Sequence, residues 1–115
     1  MRYLLFICDE EKRQTEMSEE EAAAQMAAYA AFGEEMGARG VLTGGERLRP
    51  TTSATTVRVR DGEVLTTDGP FAETKEQMAG FYVVECDDLD QAIEVASKIP
   101  SAQHGSIEVR PIWAM

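Results

Sequence analysis

Apolar residues fill successive positions from Tyr3 to Cys8, without polar alternation and over too few residues for an ordinary helix. That pattern predicts a first strand over residues 2–8, covered on both faces. After a charged connection, Ser18-Glu19-Glu20-Glu21 has the form of a capping box, with its acids at the positive end of a helix. Met26, Tyr29, Ala30, Phe32 and Met36 then recur at roughly helical spacing, and Gly37 and Gly40 supply the stop of a helix of about five turns. Val41-Leu42-Thr43 predicts a short second strand broken by Gly44-Gly45. Residues 54–60 and 63–67 are β-rich and flank Asp61-Gly62, a strong hairpin signal because a type I′ turn needs positive φ at both central positions. In this hairpin Arg58 and Arg60 share one face while Val57 and Val59 share the other.

Asp68-Gly69-Pro70-Phe71 ends the strand pattern, since Gly and Pro together do not continue a central ladder. Residues 81–86 form another continuous apolar run and predict a buried strand. Asp88 caps a second helix from Leu89 to about Ile99, with Ala92, Ile93 and Ala96 as its inner face and Pro100 beyond its end. The last strand covers residues 107–113, alternating up to Pro111, where a proline implies an edge or a bulge.

The order β-α-β-hairpin-β-α-β is that of an α+β fold, the ferredoxin-like split βαβ with an inserted β-hairpin. Two helices cover one face of such a sheet. Because the strands read as apolar on both faces, the second face calls for a partner, and a homodimer formed sheet against sheet is the expectation, with Trp113 packing beside the seam.

Length and charge narrow the function. The 115 residues make one domain, residues 1–115. A net charge of −10 argues against nucleic acid, which requires a basic stripe, and against anionic membrane surfaces. The basic pairs Arg47/Arg49 and Arg58/Arg60 sit in an acidic background. The N-terminal apolar run is too short for a usual secretory core and leads directly into Asp9-Glu10-Glu11-Lys12-Arg13, so a cytoplasmic protein is expected. Cys8 and Cys86 are isolated in strand-like settings and read as two buried thiols rather than a disulfide. No metal-ligand spacing is present, and Gly44-Gly45-Glu46-Arg47 lacks the Lys-Ser/Thr of a phosphate loop. No metal and no cofactor is expected.

Several residues carry candidate chemistry. Asp68-Gly69-Pro70-Phe71 has a structural account, in which Asp68 folds onto backbone N–H groups, Gly69 and Pro70 shape the turn and Phe71 plugs the core. It also has a functional account, with Asp68 as a carboxylate at the lip of a cleft. Glu73, Lys75 and Glu76 follow, either as a solvated loop or as a charged lining able to hold an anionic or carbonyl-bearing ligand. His104 is the one histidine and by default an exposed or capping residue. Histidine is the side-chain type suited to proton transfer near neutral pH, which makes it the natural general acid or base if there is catalysis, with Asp68 as its partner. Glu108 and Arg110 lie two apart on the last strand, as a structural ion pair or as a ligand clamp.

Asp68-Gly69-Pro70-Phe71-Ala72-Glu73-Thr74-Lys75-Glu76, followed at once by the strand from Gly80, resembles the DGPF branch of the YCII-related family. The opening Tyr3-Leu4-Leu5, the Asp61-Gly62 turn and the closing Ile107-Glu108-Val109-Arg110-Pro111 also match, so the resemblance spans nearly the whole chain. It implies a dimeric α/β-barrel arrangement with a cleft of undefined substrate, often in proteins encoded beside extracytoplasmic-function sigma factors. The wider family's proposed His–Asp pair does not carry over, because its histidine lies in the first half of the chain and His104 lies near the end. The expected function is a small-molecule cleft. Asp68 and His104 would be the catalytic pair in metal-independent acid/base, lyase- or isomerase-like chemistry, and Gly69, Pro70, Phe71, Glu73, Lys75, Glu108 and Arg110 would contact the ligand. The alternative is a non-catalytic ligand-binding or regulatory accessory protein.

Overall fold

The computed structural model describes residues 1–114. Strand β1 (Arg2–Asp9) is followed by a short helix α1 (Glu11–Thr15) and the long helix α2 (Glu19–Ala38). Then come β2 (Leu42–Arg47), the hairpin β3 (Thr55–Arg60) and β4 (Glu63–Asp68), β5 (Gln77–Glu85), helix α3 (Leu89–Ser97), a 3-10 turn (Pro100–Gln103) and β6 (Ser106–Pro111).

The helix ends follow local chemistry. Ser18 accepts from the Glu21 N–H at 3.1 Å while Glu21 accepts from the Ser18 N–H, so both halves of the capping box form. At the other end α2 runs through Gly37 and stops at Gly40, whose φ of 71° is left-handed. The Gly40 N–H meets Gly37 O and the Val41 N–H meets Met36 O, which is a Schellman ending. Asp88 caps α3 through the Gln91 N–H at 2.9 Å.

Four strands form an antiparallel sheet in the order β2-β5-β1-β6, with the consecutive βαβ halves interleaved as in a ferredoxin-like fold. Tyr3, Leu5 and Ile7 on β1 and Val84 on β5 face the helices, where they bury Phe32 and Met36 of α2 and Ala92, Val95, Ala96 and Ile99. Tyr82 lies on the same face, its ring 5.1 Å from that of Phe32. The inner face of α3 therefore includes Val95, and Ile93, expected inside, is 50% exposed. Met26 of α2 likewise points outward, because only the C-terminal half of that long helix lies against the sheet core.

Three strand expectations are corrected, the last strand among them: β6 ends at Pro111 instead of running to Trp113. β2 does not break at Gly44-Gly45 but continues to Arg47, with a register shift between Leu42 and Gly44. Gly45 sits where a Cβ would come 2.6 Å from Tyr82 Cδ1, so its glycine lets the edge strand press against β5. β5 begins at Gln77, four residues before its apolar run, because the β1 partner extends to Asp9.

The hairpin forms as expected, with φ of 52° at Asp61 and 77° at Gly62. It pairs only with itself, as a separate two-stranded ribbon. Its valine face is as open as its arginine face: Val57, Val59 and Val64 are all exposed. The second face of the main sheet carries Leu4, Phe6, Phe81 and Val83 in adjacent registers, half-buried, and among the described residues no helix or further strand packs on it. Among the described residues the sheet is open and does not close into a barrel.

Candidate functional site

β1 ends on a carboxylate. The alternation that turns Tyr3, Leu5 and Ile7 toward the helices also turns Asp9 inward, and Asp9 is only 2% exposed. A buried charge must be paired and hydrogen-bonded to be tolerated, and α1 supplies the partners one helical turn later. Arg13 approaches side-on, with Nε 3.3 Å from Oδ1 and Nη2 on Oδ2, while Gln14 Nε2 donates to Oδ2 at 3.0 Å. The Glu10 N–H completes the set at 2.9 Å from Oδ1. Burial alone pushes the Asp9 carboxyl up, but the Arg13 hydrogen bond and charge, with the Glu10 and Gln14 donors, hold it below its usual range. Arg13 is correspondingly pushed up, chiefly by its hydrogen bond to Asp9.

Beside this pair lies a groove of about 870 Å³ between α2 and the segment leading from α3 through the 3-10 turn. The α2 wall is low because Ala24, Ala28 and Ala31 stand where larger side chains would close the gap. Phe32 and Ile99 form apolar floor, and Arg13, Gln25, Lys98, Ser101 and His104 bring polar atoms to the lining. The Tyr29 and Ser101 hydroxyls, 2.6 Å apart, tie the two walls together. Burial pushes the Tyr29 hydroxyl up, so it stays protonated as a hydrogen-bonding group. Gly105 holds the far wall against the end of β1: a Cβ there would lie 2.1 Å from Cys8 O and 3.1 Å from Asp9 Cα. This close approach sets His104, the preceding residue, beside the Asp9 end of the groove.

The residues expected to form the site divide among four places. His104 lines the groove, exposed at its mouth. Asp68 ends β4 on the separate hairpin, exposed to solvent, and no hydrogen bond or ion pair joins it to His104 among the described residues. In the turn that follows, Gly69 takes φ 107° and its N–H bonds Ala54 O at 2.7 Å, while Thr56 Oγ1 donates to Gly69 O at 2.8 Å. Backbone and Thr56 hold this turn, so the expected fold-back of the Asp68 carboxylate is not its fastening. Phe71 does not plug the core; it is 81% exposed, because the loop leaves the hairpin rather than crossing the main sheet. Pro70 and Glu73 are exposed on the same loop.

The end of that loop does return to the sheet. Lys75 Nζ stands 3.8 Å from Glu10 Oε1, and Glu76 Oε1 accepts from Ser106 Oγ at 2.8 Å. Gln77 Oε1 accepts from the Glu11 N–H at 2.9 Å. The polar tail of the motif and the start of β6 thus meet at one end of the sheet. Glu108 and Arg110 pair at 2.6 Å on the open sheet face, with the Arg110 guanidinium 5.6 Å from the Phe6 ring centroid. Cys8 shares that face. Burial first, then the negative charges of Glu108 and Glu76, push its thiol up, which leaves it a poor nucleophile. Cys86 is buried and also free.

Asp9, Arg13, Gln14, Tyr29 and Ser101 were not singled out by sequence reasoning. One signal was available: continuing the period of two from Tyr3, Leu5 and Ile7 places the Asp9 carboxylate on the core face. Among the described residues no group of three or more His, Cys, Asp and Glu side chains is placed to hold a metal ion, and no helix is long and apolar enough to cross a membrane.

Comparison with known proteins gives a family match. The family model of the YCII-related domain matches residues 1–115. An uncharacterised protein of Rhizobium meliloti (strain 1021) is 52% identical over 68 residues, which is 57% of this chain and 55% of that protein. The chain thus matches about half the length of this relative.

Proposed function

We propose that this chain, which belongs to the YCII-related domain family, binds a small polar molecule in the groove between α2 and the 3-10 turn. The observation that carries the reading is the Asp9–Arg13 pair, in which buried Asp9 fastens a partly exposed Arg13 that lines the groove. Replacing such a pair with apolar residues is often neutral or stabilising, so its presence beside an open cavity is better explained by a ligand than by stability. Gln25, Ser101 and His104 add donors and acceptors, and the alanine and Phe32 wall supplies apolar contact, the usual composition of a small-molecule site.

Binding is favoured over catalysis by the surroundings of His104. Metal-independent proton transfer of a lyase or isomerase type would fall to this side chain, yet among the described residues it has no carboxylate partner to orient it. Asp68 would take that role only by movement of the hairpin or from a second copy. A ligand-binding or regulatory accessory protein needs neither.

The open sheet face supports a homodimer. Leu4, Phe6, Phe81 and Val83 form one contiguous apolar surface edged by Glu46, Glu108 and Arg110, and burying such a surface on a second copy satisfies it symmetrically. The groove lies on the opposite face, so it stays open in that assembly.

A nuclear magnetic resonance screen of small polar fragments against the full chain tests the reading. Amide shifts are expected to cluster at Gln25, Ser101 and His104 and to vanish in Ala28→Trp, which fills the groove. Shifts confined to the hairpin or the open sheet face, or none at all, would move the function elsewhere.

A further inference from the structure

We infer that the groove is an anion site, built for a carboxylate on a small apolar body and read by the second edge of the Arg13 guanidinium. The inference rests on the groove being the binding site.

A guanidinium has five N–H donors in a plane and two edges that each match a carboxylate. Asp9 occupies one edge, the pair Nε and Nη2. The other edge, formed by Nη1 and the remaining N–H of Nη2, has no hydrogen-bond partner among the described residues, although Arg13 lines the groove. Asp9 does more than neutralise it. Held by Gln14 and the Glu10 N–H as well, Asp9 fixes the plane of the fork, so little side-chain freedom remains to be lost when an anion docks.

The other charged groups of the groove leave this role to Arg13. Lys98 Nζ is turned to Glu35 at 3.5 Å; Glu21, which accepts from the Ser18 N–H at 3.3 Å, keeps its negative charge near Arg13, so an incoming anion has to dock on the free edge of the fork and away from that carboxylate. The chain's net charge of −10 repels anions at long range, so an anion would be held by this local fork and not by the overall field. Beyond the fork, Met17, Ala28 and Phe32 present apolar wall, which a bare inorganic ion does not use.

Benzoate, its neutral isostere benzamide and inorganic phosphate form a matched set of probes for the wild-type chain. Benzoate is expected to shift the Arg13 Nη–H resonances and the Ser101 amide, with benzamide binding roughly tenfold more weakly, as loss of a charge-assisted pair requires. Arg13→Lys retains a cation for Asp9 but neither fork; it is expected to melt below wild type, through loss of the two-point bond to Asp9, and, at a temperature where it is folded, to lose the preference for benzoate over benzamide. Phosphate bound alongside benzoate supports a fork for oxyanions in general; benzoate alone supports a carboxylate on an apolar body. Equal binding of benzoate and benzamide in the groove would overturn the anion site and leave the groove reading standing. A benzoate shift that bypasses the Arg13 Nη–H groups would do the same, and this readout needs no variant to fold. Silence toward all three probes overturns the inference, and silence in the neutral fragment screen as well removes the groove reading with it.

Discussion

Tyr29 Oη lies 2.6 Å from Ser101 Oγ, a hydrogen bond across 72 residues of sequence that joins the middle of α2 to the 3-10 turn below His104. Ser101 is buried and Tyr29 half-buried, so the pair fixes the width of the groove as well as contributing stability. Tyr29→Phe is expected to cost about 1 kcal/mol, and Ser101→Ala a similar amount. The double variant should cost less than the two together, because each single change already removes the bond. Urea denaturation of all four proteins measures the coupling; strict additivity would mean that the hydroxyls do not act as a pair.

Asp9 predicts a specific acid sensitivity. Its carboxyl titrates below the usual range in the folded chain, so the unfolded chain binds the proton more readily. The stability this confers is full above the unfolded value of about 3.9 and is lost as pH falls through the lower folded value. Unfolding free energy should therefore drop more steeply below about pH 4 in the wild type than in Asp9→Asn, which lacks the titrating group. At pH 7 the same variant should be less stable by about 2 kcal/mol, since Arg13 loses its charged acceptor. Parallel slopes for the two proteins at acid pH would contradict the linkage.

Gly105 should tolerate no side chain. A Cβ at this position would sit 2.1 Å from the Cys8 carbonyl oxygen, a backbone atom that moves only if β1 and β6 separate. Gly105→Ala is expected to destabilise the chain by about 2 kcal/mol or more. It should also shift the amide resonances of Ser106 and His104 beyond those of the distant hairpin. Gly33, where an added Cβ would meet nothing within 4 Å, is the control: alanine there should be neutral or stabilising in the helix.

The open sheet face predicts a dissociable dimer. Phe6→Glu and Phe81→Glu place charges on directly paired positions of β1 and β5. Sedimentation at micromolar concentration should show a dimer for the wild type and a monomer for either variant. Far-ultraviolet circular dichroism should be unchanged, because neither ring belongs to the core under the helices. A wild type that sediments as a monomer at every concentration would leave the apolar face without its proposed cover.

Much of the fold was legible along the chain because its signals are local. The Ser18–Glu21 box, the Asp88 cap and the Asp61-Gly62 turn each depend on residues no more than three positions apart, so the sequence by itself determined where these elements begin and turn. The run from Tyr3 to Cys8 and the order of strands and helices likewise determined a ferredoxin-like sheet with one bare face. The passage of β2 through Gly44-Gly45 was not legible: glycine weakens an isolated strand, and only the approach of the Tyr82 ring makes it the residue that fits. Nor could the motif Asp68-Gly69-Pro70-Phe71 be placed, because its turn chemistry is the same whether the hairpin joins the main sheet or stands apart. Tertiary structure decided that it stands apart, leaving Phe71 in solvent. It alone also assembled the groove, whose walls meet through the Tyr29–Ser101 bond and the Gly105–Cys8 contact. Those partners are separated by most of the chain, and a one-dimensional pattern has no period that reports them.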